Sequence, residues 1–167
     1  DQSMNQPSLE MLSSLLAALY DGHIEEDPYS AFLTAMRNSI DANFASITMR
    51  EPQGDDGGLM FVSCEQLQKT FVDDRNNPYS DRYYTSNLMT NLPWGKVVSL
   101  DECLSYRSLE QTELYRYCMS PIGIYHMIGV DLRNANGQRF SVRFGRPKDA
   151  ANFGDEERSF LNLMAGH

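Results

Sequence analysis

Residues 124–133 read IYHMIGVDLR, residues 134–137 read NANG and residues 138–146 read QRFSVRFGR. Apolar and polar residues alternate on both sides of an Asn-Gly pair, the strongest short-range signal for a β-hairpin. In this pairing Ile124, His126, Ile128, Val130 and Leu132 share one face with Phe140, Val142 and Phe144. Gly129 and Ser141 on the opposite face are small, which leaves room there for a covering layer or a ligand. A sheet with one apolar face and a second face to be covered sets the expectation for everything else in the chain.

Two more strand-like runs, 44–50 (FASITMR) and 58–64 (GLMFVSC), are joined by the turn-rich Pro52-Gln53-Gly54-Asp55-Asp56-Gly57 and should pair as a second hairpin. The continuous apolar stretch from Leu59 to Val62 predicts a strand covered on both faces. Before these, Ser8 is a candidate cap for a helix carrying Leu9, Leu12, Leu15, Leu16 and Leu19. Asp27 and Pro28 then open a second helix whose buried face is Tyr29, Phe32, Leu33, Met36 and Ile40. Spacing at i, i+4 and i+8 predicts a helix from Ser80 through Tyr84 and Leu88 to Leu92, ended by Pro93. Lys96 to Leu100 is a short strand candidate. Ser99-x-x-Glu102 and Ser108-x-x-Gln111 both have capping-box form, so two helical segments should follow, the second reaching Met119. A last helix from Asp155 carries Phe160, Leu161, Leu163 and Met164, and its pattern still runs at His167, which predicts a missing C-terminal continuation. The order of elements predicts one α+β domain over 8–167, an antiparallel sheet with helices on both faces, after a disordered stretch and expression remnant at 1–7.

The charge balance, 14 basic against 23 acidic residues and a net charge of −9, opposes binding of this fragment to nucleic acid. The densest basic group, Arg139, Arg143 and Arg146, reads as a solvated strand edge. Three cysteines without metal-type spacing, Cys64, Cys103 and Cys118, predict reduced thiols and a cytoplasmic location. No stretch approaches the ~18 apolar residues needed to span a bilayer, so no membrane partner is expected.

Catalytic signatures are lacking. His23, His126 and His167 stand in no metal-ligand motif, there is no nucleophile elbow or phosphate-binding glycine loop, and neither a metal nor a cofactor is implied. The chain therefore reads as a non-enzyme. What stands out is the concentration of aromatic residues and methionines between Tyr79 and Met127. Tyrosine and tryptophan pair an apolar body with a polar tip, and methionine fills irregular space, which suits the wall of a small-molecule pocket as well as a core. The candidate ligand-binding residues are Tyr83, Tyr84, Leu88, Trp94, Tyr115, Met119 and His126, between the sheet and the layer formed by residues 66–122.

Several stretches carry a family resemblance. They are Leu15-Leu16-Ala17-Ala18-Leu19-Tyr20, Phe44-Ala45-Ser46-Ile47, Leu92-Pro93-Trp94-Gly95-Lys96-Val97-Val98, Leu100-Asp101-Glu102, the hairpin from His126 to Leu132, and Phe153-Gly154-Asp155-Glu156-Glu157-Arg158 with Leu163 and His167. Together they resemble the N-terminal GAF/PAS-like sensor domain of LuxR-type helix-turn-helix transcriptional regulators. The resemblance implies detection of a small-molecule signal coupled to homodimerisation, with DNA bound by a separate C-terminal domain of the full-length protein. Acyl-homoserine-lactone receptors of the wider group have a Trp/Tyr/Asp pocket pattern, matched here at Tyr83, Tyr84 and Trp94. No Asp-Pro pair follows the Tyr83-Tyr84 helix, so the ligand stays open. The rival reading is a dimerisation or protein-interaction module with a closed core, working through its first and last helices.

Overall fold

The computed structural model describes residues 26–51, 59–65 and 89–165. Helix α1 (Glu26–Ser39) is already formed at Glu26, so Asp27 and Pro28 lie in its first turn rather than at its cap. Pro28 fits there because the first four N–H groups of a helix have no intrahelical partner. Leu33, Met36 and Ile40 are buried. The helix stops where Asp41 takes φ 53°, a left-handed conformation that Asp tolerates better than most residues.

Strands β1 (Phe44–Arg50), β2 (Leu59–Cys64), β3 (Val98–Ser99), β4 (His126–Arg133) and β5 (Arg139–Arg146) form one antiparallel sheet in the order β2-β1-β5-β4-β3. β4 and β5 pair in the expected register, with Ile128 opposite Phe144, Val130 opposite Val142 and Leu132 opposite Phe140. At their turn only Gly137, at φ 80°, is left-handed. Its N–H donates to the Asn134 carbonyl at 3.1 Å, and the Asn134 side chain accepts from the N–H groups of Asn136 and Gln138. The loop is therefore a three-residue turn closed by a glycine bulge. β2 is an edge strand, yet both its faces are covered, Phe61 packing into one core and Val62 into the other.

On the first face, Ala45, Ile47, Ile128, Val130, Leu132, Phe140, Val142 and Phe144 meet α1 and the last helix, here α3 (Asp155–Ala165). Phe160, Leu161 and Met164 are consumed by this core, while Leu163 is 54% exposed. Of the apolar residues assigned to a dimer surface on α3, Leu163 alone stays outward. The first expected helix, from Ser8 to Tyr20, lies outside the described residues.

The second face is covered by a layer of short pieces. Leu100 to Glu102 make one 3₁₀ turn, α2 (Tyr106–Leu109) follows, and Tyr115 to Met119 form a π-helical turn. The Ser99 box works as expected, the Glu102 carboxylate accepting from the Ser99 N–H at 2.7 Å. The second box does not form. Ser105 caps α2 by accepting from the Ser108 N–H, which places Ser108 inside the helix, and Thr112 then caps the π turn through the Tyr115 N–H. Val98 and Ser99 alone represent the strand expected at 96–100, because Leu100 already turns away.

The helix predicted from Ser80 to Leu92 falls outside the described residues up to position 88, and Met89 to Leu92 are not helical. Their backbone groups are bound elsewhere. The Met89, Thr90 and Leu92 carbonyls accept from Arg143, Arg50 and Arg139, and the Leu92 N–H donates to Asp131.

Candidate functional site

The strand period of two turns Phe44, Ser46, Thr48 and Arg50 of β1 toward the second face. The register sets Ser46 beside Arg143 and Thr48 beside Ser141 of β5, and these in turn beside Gly129 and Asp131 of β4. An apolar strand face is the norm in a two-layer fold, but here the middle of the sheet is polar and almost dry. Ser46 is 1% exposed, Asp131 0%, Ser141 6% and Arg143 7%.

The charges are organised around Asp131. Arg139 Nη1 donates to its Oδ2 at 2.5 Å, the Leu92 N–H donates to the same oxygen at 3.0 Å, and Arg143 Nη1 stands 2.7 Å from Oδ1. Arg143 also donates to the carbonyls of Val130, Val142 and Met89. A buried guanidinium persists only where acceptors surround it. Gly129 makes this possible, because a Cβ there would lie 2.5 Å from Arg143 Cδ and 2.7 Å from the Val142 carbonyl. The space predicted beside Gly129 is thus filled by Arg143, not by a ligand. Nor is the Arg139, Arg143 and Arg146 group a solvated edge. Arg146 donates to the carbonyls of Ile40, Asp41, Ala151 and Asn152 and pairs with Glu157, joining α1 to α3.

The hydroxyls beside this pair are different. Ser46 Oγ and Ser141 Oγ are buried and have no hydrogen-bond partner. Buried polar atoms are nearly always paired, since an unmade hydrogen bond costs about 1–3 kcal/mol. Phe44 and Val62 flank Ser46, so the two open hydroxyls sit next to apolar surface.

Among the candidate ligand residues, Tyr83, Tyr84 and Leu88 lie outside the described residues. Met119 is buried in the second core, with Tyr115 packed against it and edge-on to Tyr125. Trp94 bridges to Asp131 at the hairpin end of this face, 43% exposed, with Arg139 3.7 Å and Arg133 4.5 Å from its ring centre. His126 stands apart, its ring between Tyr106 and Ala150. The Ala150 carbonyl can only accept, so Nε2 carries the proton (2.9 Å), and Nδ1 accepts from the Tyr106 hydroxyl (2.6 Å). Both ring nitrogens are thereby committed within the fold. Burial, with the charge of Asp101 and the neighbouring Tyr125, pushes the Tyr106 hydroxyl up to about 12, which keeps it a donor. Sequence reasoning nominated Ser141 only as a small residue and missed Ser46, Asp131 and Arg143. Strand alternation puts all four on one face, but nothing local says that two are paired charges and two are open hydroxyls.

Nothing in this arrangement resembles an activated nucleophile. Burial raises Cys118 to about 11 and raises Cys103, the wrong direction for a reactive thiolate. Among the described residues no three His, Cys, Asp or Glu groups are placed to hold a metal, and no helix is long and apolar enough to cross a membrane.

No family model matches the chain, and no curated protein matches it. Solved structures do. The VqsR LBD domain from Pseudomonas aeruginosa superposes with a TM-score of 0.65 at 15% identity, over 94% of this chain and 88% of that one. Escherichia coli SdiA gives 0.61 at 10% identity, over 93% of this chain and 63% of the SdiA chain. CepR2 from Burkholderia cenocepacia, described as an N-acylhomoserine lactone dependent LuxR family transcription factor, gives only 0.47 at 9% identity, too distant to weigh. The first two share the fold of this chain.

Proposed function

We propose that this chain is the small-molecule-sensing domain of a LuxR-type transcriptional regulator, GAF/PAS-like in architecture, cytoplasmic and without catalytic activity. The observation that carries the reading is the pair of buried, unpartnered hydroxyls of Ser46 and Ser141 on the covered face of the sheet. A domain with no ligand to meet has no use for two orphaned polar atoms beside its core, whereas a ligand site consists of apolar wall with a few convergent polar groups. The fold shared with the VqsR LBD domain supports it. In this reading the wall includes Met119 and Tyr115, Trp94 stands at the rim, and Tyr83, Tyr84 and Leu88 come from the segment that covers the face. Ligand binding is coupled to homodimerisation through the first and last helices and to DNA binding by a C-terminal domain.

Native mass spectrometry of protein purified from its natural host tests the proposal. A co-purifying small molecule, released on denaturation, is the expected result. Empty protein, together with no hit in a thermal-shift screen of a broad library, would overturn it in favour of the closed dimerisation module, for which the exposed Leu163 on α3 is the relevant observation. Sedimentation at ~100 μM reads the dimer separately, a monomer counting against the coupling.

A further inference from the structure

The chemistry of the polar face restricts what it accepts, and this inference rests on reading the chain as a sensor. We propose that the site takes an uncharged ligand, an apolar body with one neutral oxygen function, hydroxyl or carbonyl, held between Ser46 Oγ and Ser141 Oγ, and that it refuses carboxylates.

The argument starts from the cations on the face. Arg143 is enclosed by Asp131 and the carbonyls of Val130, Val142 and Met89. Arg139 is bound to Asp131 and the Leu92 carbonyl and stacks on Trp94. Arg50 is bound to the Thr90 carbonyl and the Asn91 side chain. An incoming carboxylate would have to break one of these sets to find a cation, or stay buried without one, which is costlier still. Asp131 is equally engaged, so an ammonium ligand fares no better. What remains open is neutral. Each serine hydroxyl has one donor and two acceptor lone pairs. Ser46 and Ser141 are diagonal neighbours across the β1–β5 pair, with Ser46 opposite Arg143 and Ser141 opposite Thr48. Diagonal side chains in such a pair stand roughly 7 Å apart or less at Cβ, so one oxygen between them reaches both hydroxyls at ordinary hydrogen-bond lengths. Phe44 and Val62 beside Ser46 provide the apolar contact for the rest of the molecule.

A matched trio of probes, 1-octanol, octanoate and octylammonium, tests this against wild type, Ser46→Ala, Ser141→Ala and the double variant by thermal shift. Octanol should raise the melting temperature of wild type and leave the double variant unmoved, and the two charged probes should not stabilise either. A second readout needs no ligand. Removing an unpaired buried hydroxyl relieves its desolvation cost, so each alanine should raise the melting temperature of the empty domain by about 2 °C. Four results overturn the inference: octanoate stabilising as well as octanol, an octanol response that survives the double substitution, no response to any probe, or a lower melting temperature in the empty alanine variants. A carboxylate found on protein from its natural host would also overturn it while leaving the sensor reading intact; the sensor reading fails only if host protein and library are both empty.

Discussion

Replacing Asp131 by Ala should be among the most damaging single changes in the domain. The carboxylate is fully buried, and three partners depend on it: Arg139, Arg143 and the Leu92 N–H. Removing one member of a buried ion pair costs about 3–5 kcal/mol, because the surviving charge is left without compensation. Arg139 is 19% exposed and can turn partly to solvent, whereas Arg143, at 8%, cannot. The Leu92 N–H adds about 1–3 kcal/mol if it stays unpaired. Relaxation of the 89–95 segment offsets part of this, so the expected loss is about 4 kcal/mol, or ~8–16 °C in melting temperature for a domain of this size. Urea unfolding followed by circular dichroism measures it. The double variant Asp131→Leu, Arg143→Met should recover a substantial part of the loss, since an apolar pair of similar volume leaves no orphan charge there. A loss below about 1 kcal/mol for Asp131→Ala, or a double variant worse than the sum of its singles, would refute the claim that this pair organises the covered face.

Gly129→Ala places a methyl group 2.5 Å from Arg143 Cδ and 2.7 Å from the Val142 carbonyl; it should cost about 1–3 kcal/mol in chemical denaturation, and a neutral outcome would mean that Arg143 does not lie over this glycine. Tyr106 has its folded pKa raised from 10.0 to about 12 by burial. The folded state holds this proton more tightly than the unfolded one, so the associated stability is complete below pH 10 and is lost as pH rises through 12. Tyr106→Phe should therefore be less stable at neutral pH yet lose less between pH 10 and 12, and identical alkaline profiles would contradict the assignment. The half-exposed Trp94 ring lies beside Arg133 and Arg139, so iodide should quench its fluorescence more strongly than caesium at equal ionic strength, and equal quenching would argue against the stacking.

The legible part of this fold is the part whose signals are local. β1 and the paired core of β4 and β5 follow from alternation over seven or more residues, and the Asn134–Gly137 turn follows from residues four apart. The covering layer was misread for a physical reason. Ser99-x-x-Glu102 and Ser108-x-x-Gln111 have the same form, and what separates them is that Ser105 reaches the Ser108 N–H first. The end of the 80–92 helix was equally hidden, because the groups that hold Met89 to Leu92 in a turn are Arg50, Asp131, Arg139 and Arg143, as many as 54 residues away. The site shares this difficulty. A serine in a strand looks the same whether its hydroxyl meets solvent, a neighbour or nothing, and only the register of β1 on β5 brings Ser46 and Ser141 together.

The π turn at Tyr115–Met119 carries a mechanical consequence. The N–H groups of Ser120 and Ile124 reach back five residues, to the carbonyls of Tyr115 and Met119, so this stretch holds one residue more than an α-helix of the same span. Deleting a single residue from the exposed pair Arg116-Tyr117 would let it rewind as α-helix without lengthening the connection. At 100° per residue, everything after the deletion would be re-aimed by more than a quarter turn relative to what precedes it. Met119 and Tyr115 could then no longer both face the sheet. The shape of the wall over the polar face is set by chain length as much as by side-chain identity, and such a deletion would reshape it more than any substitution within the turn.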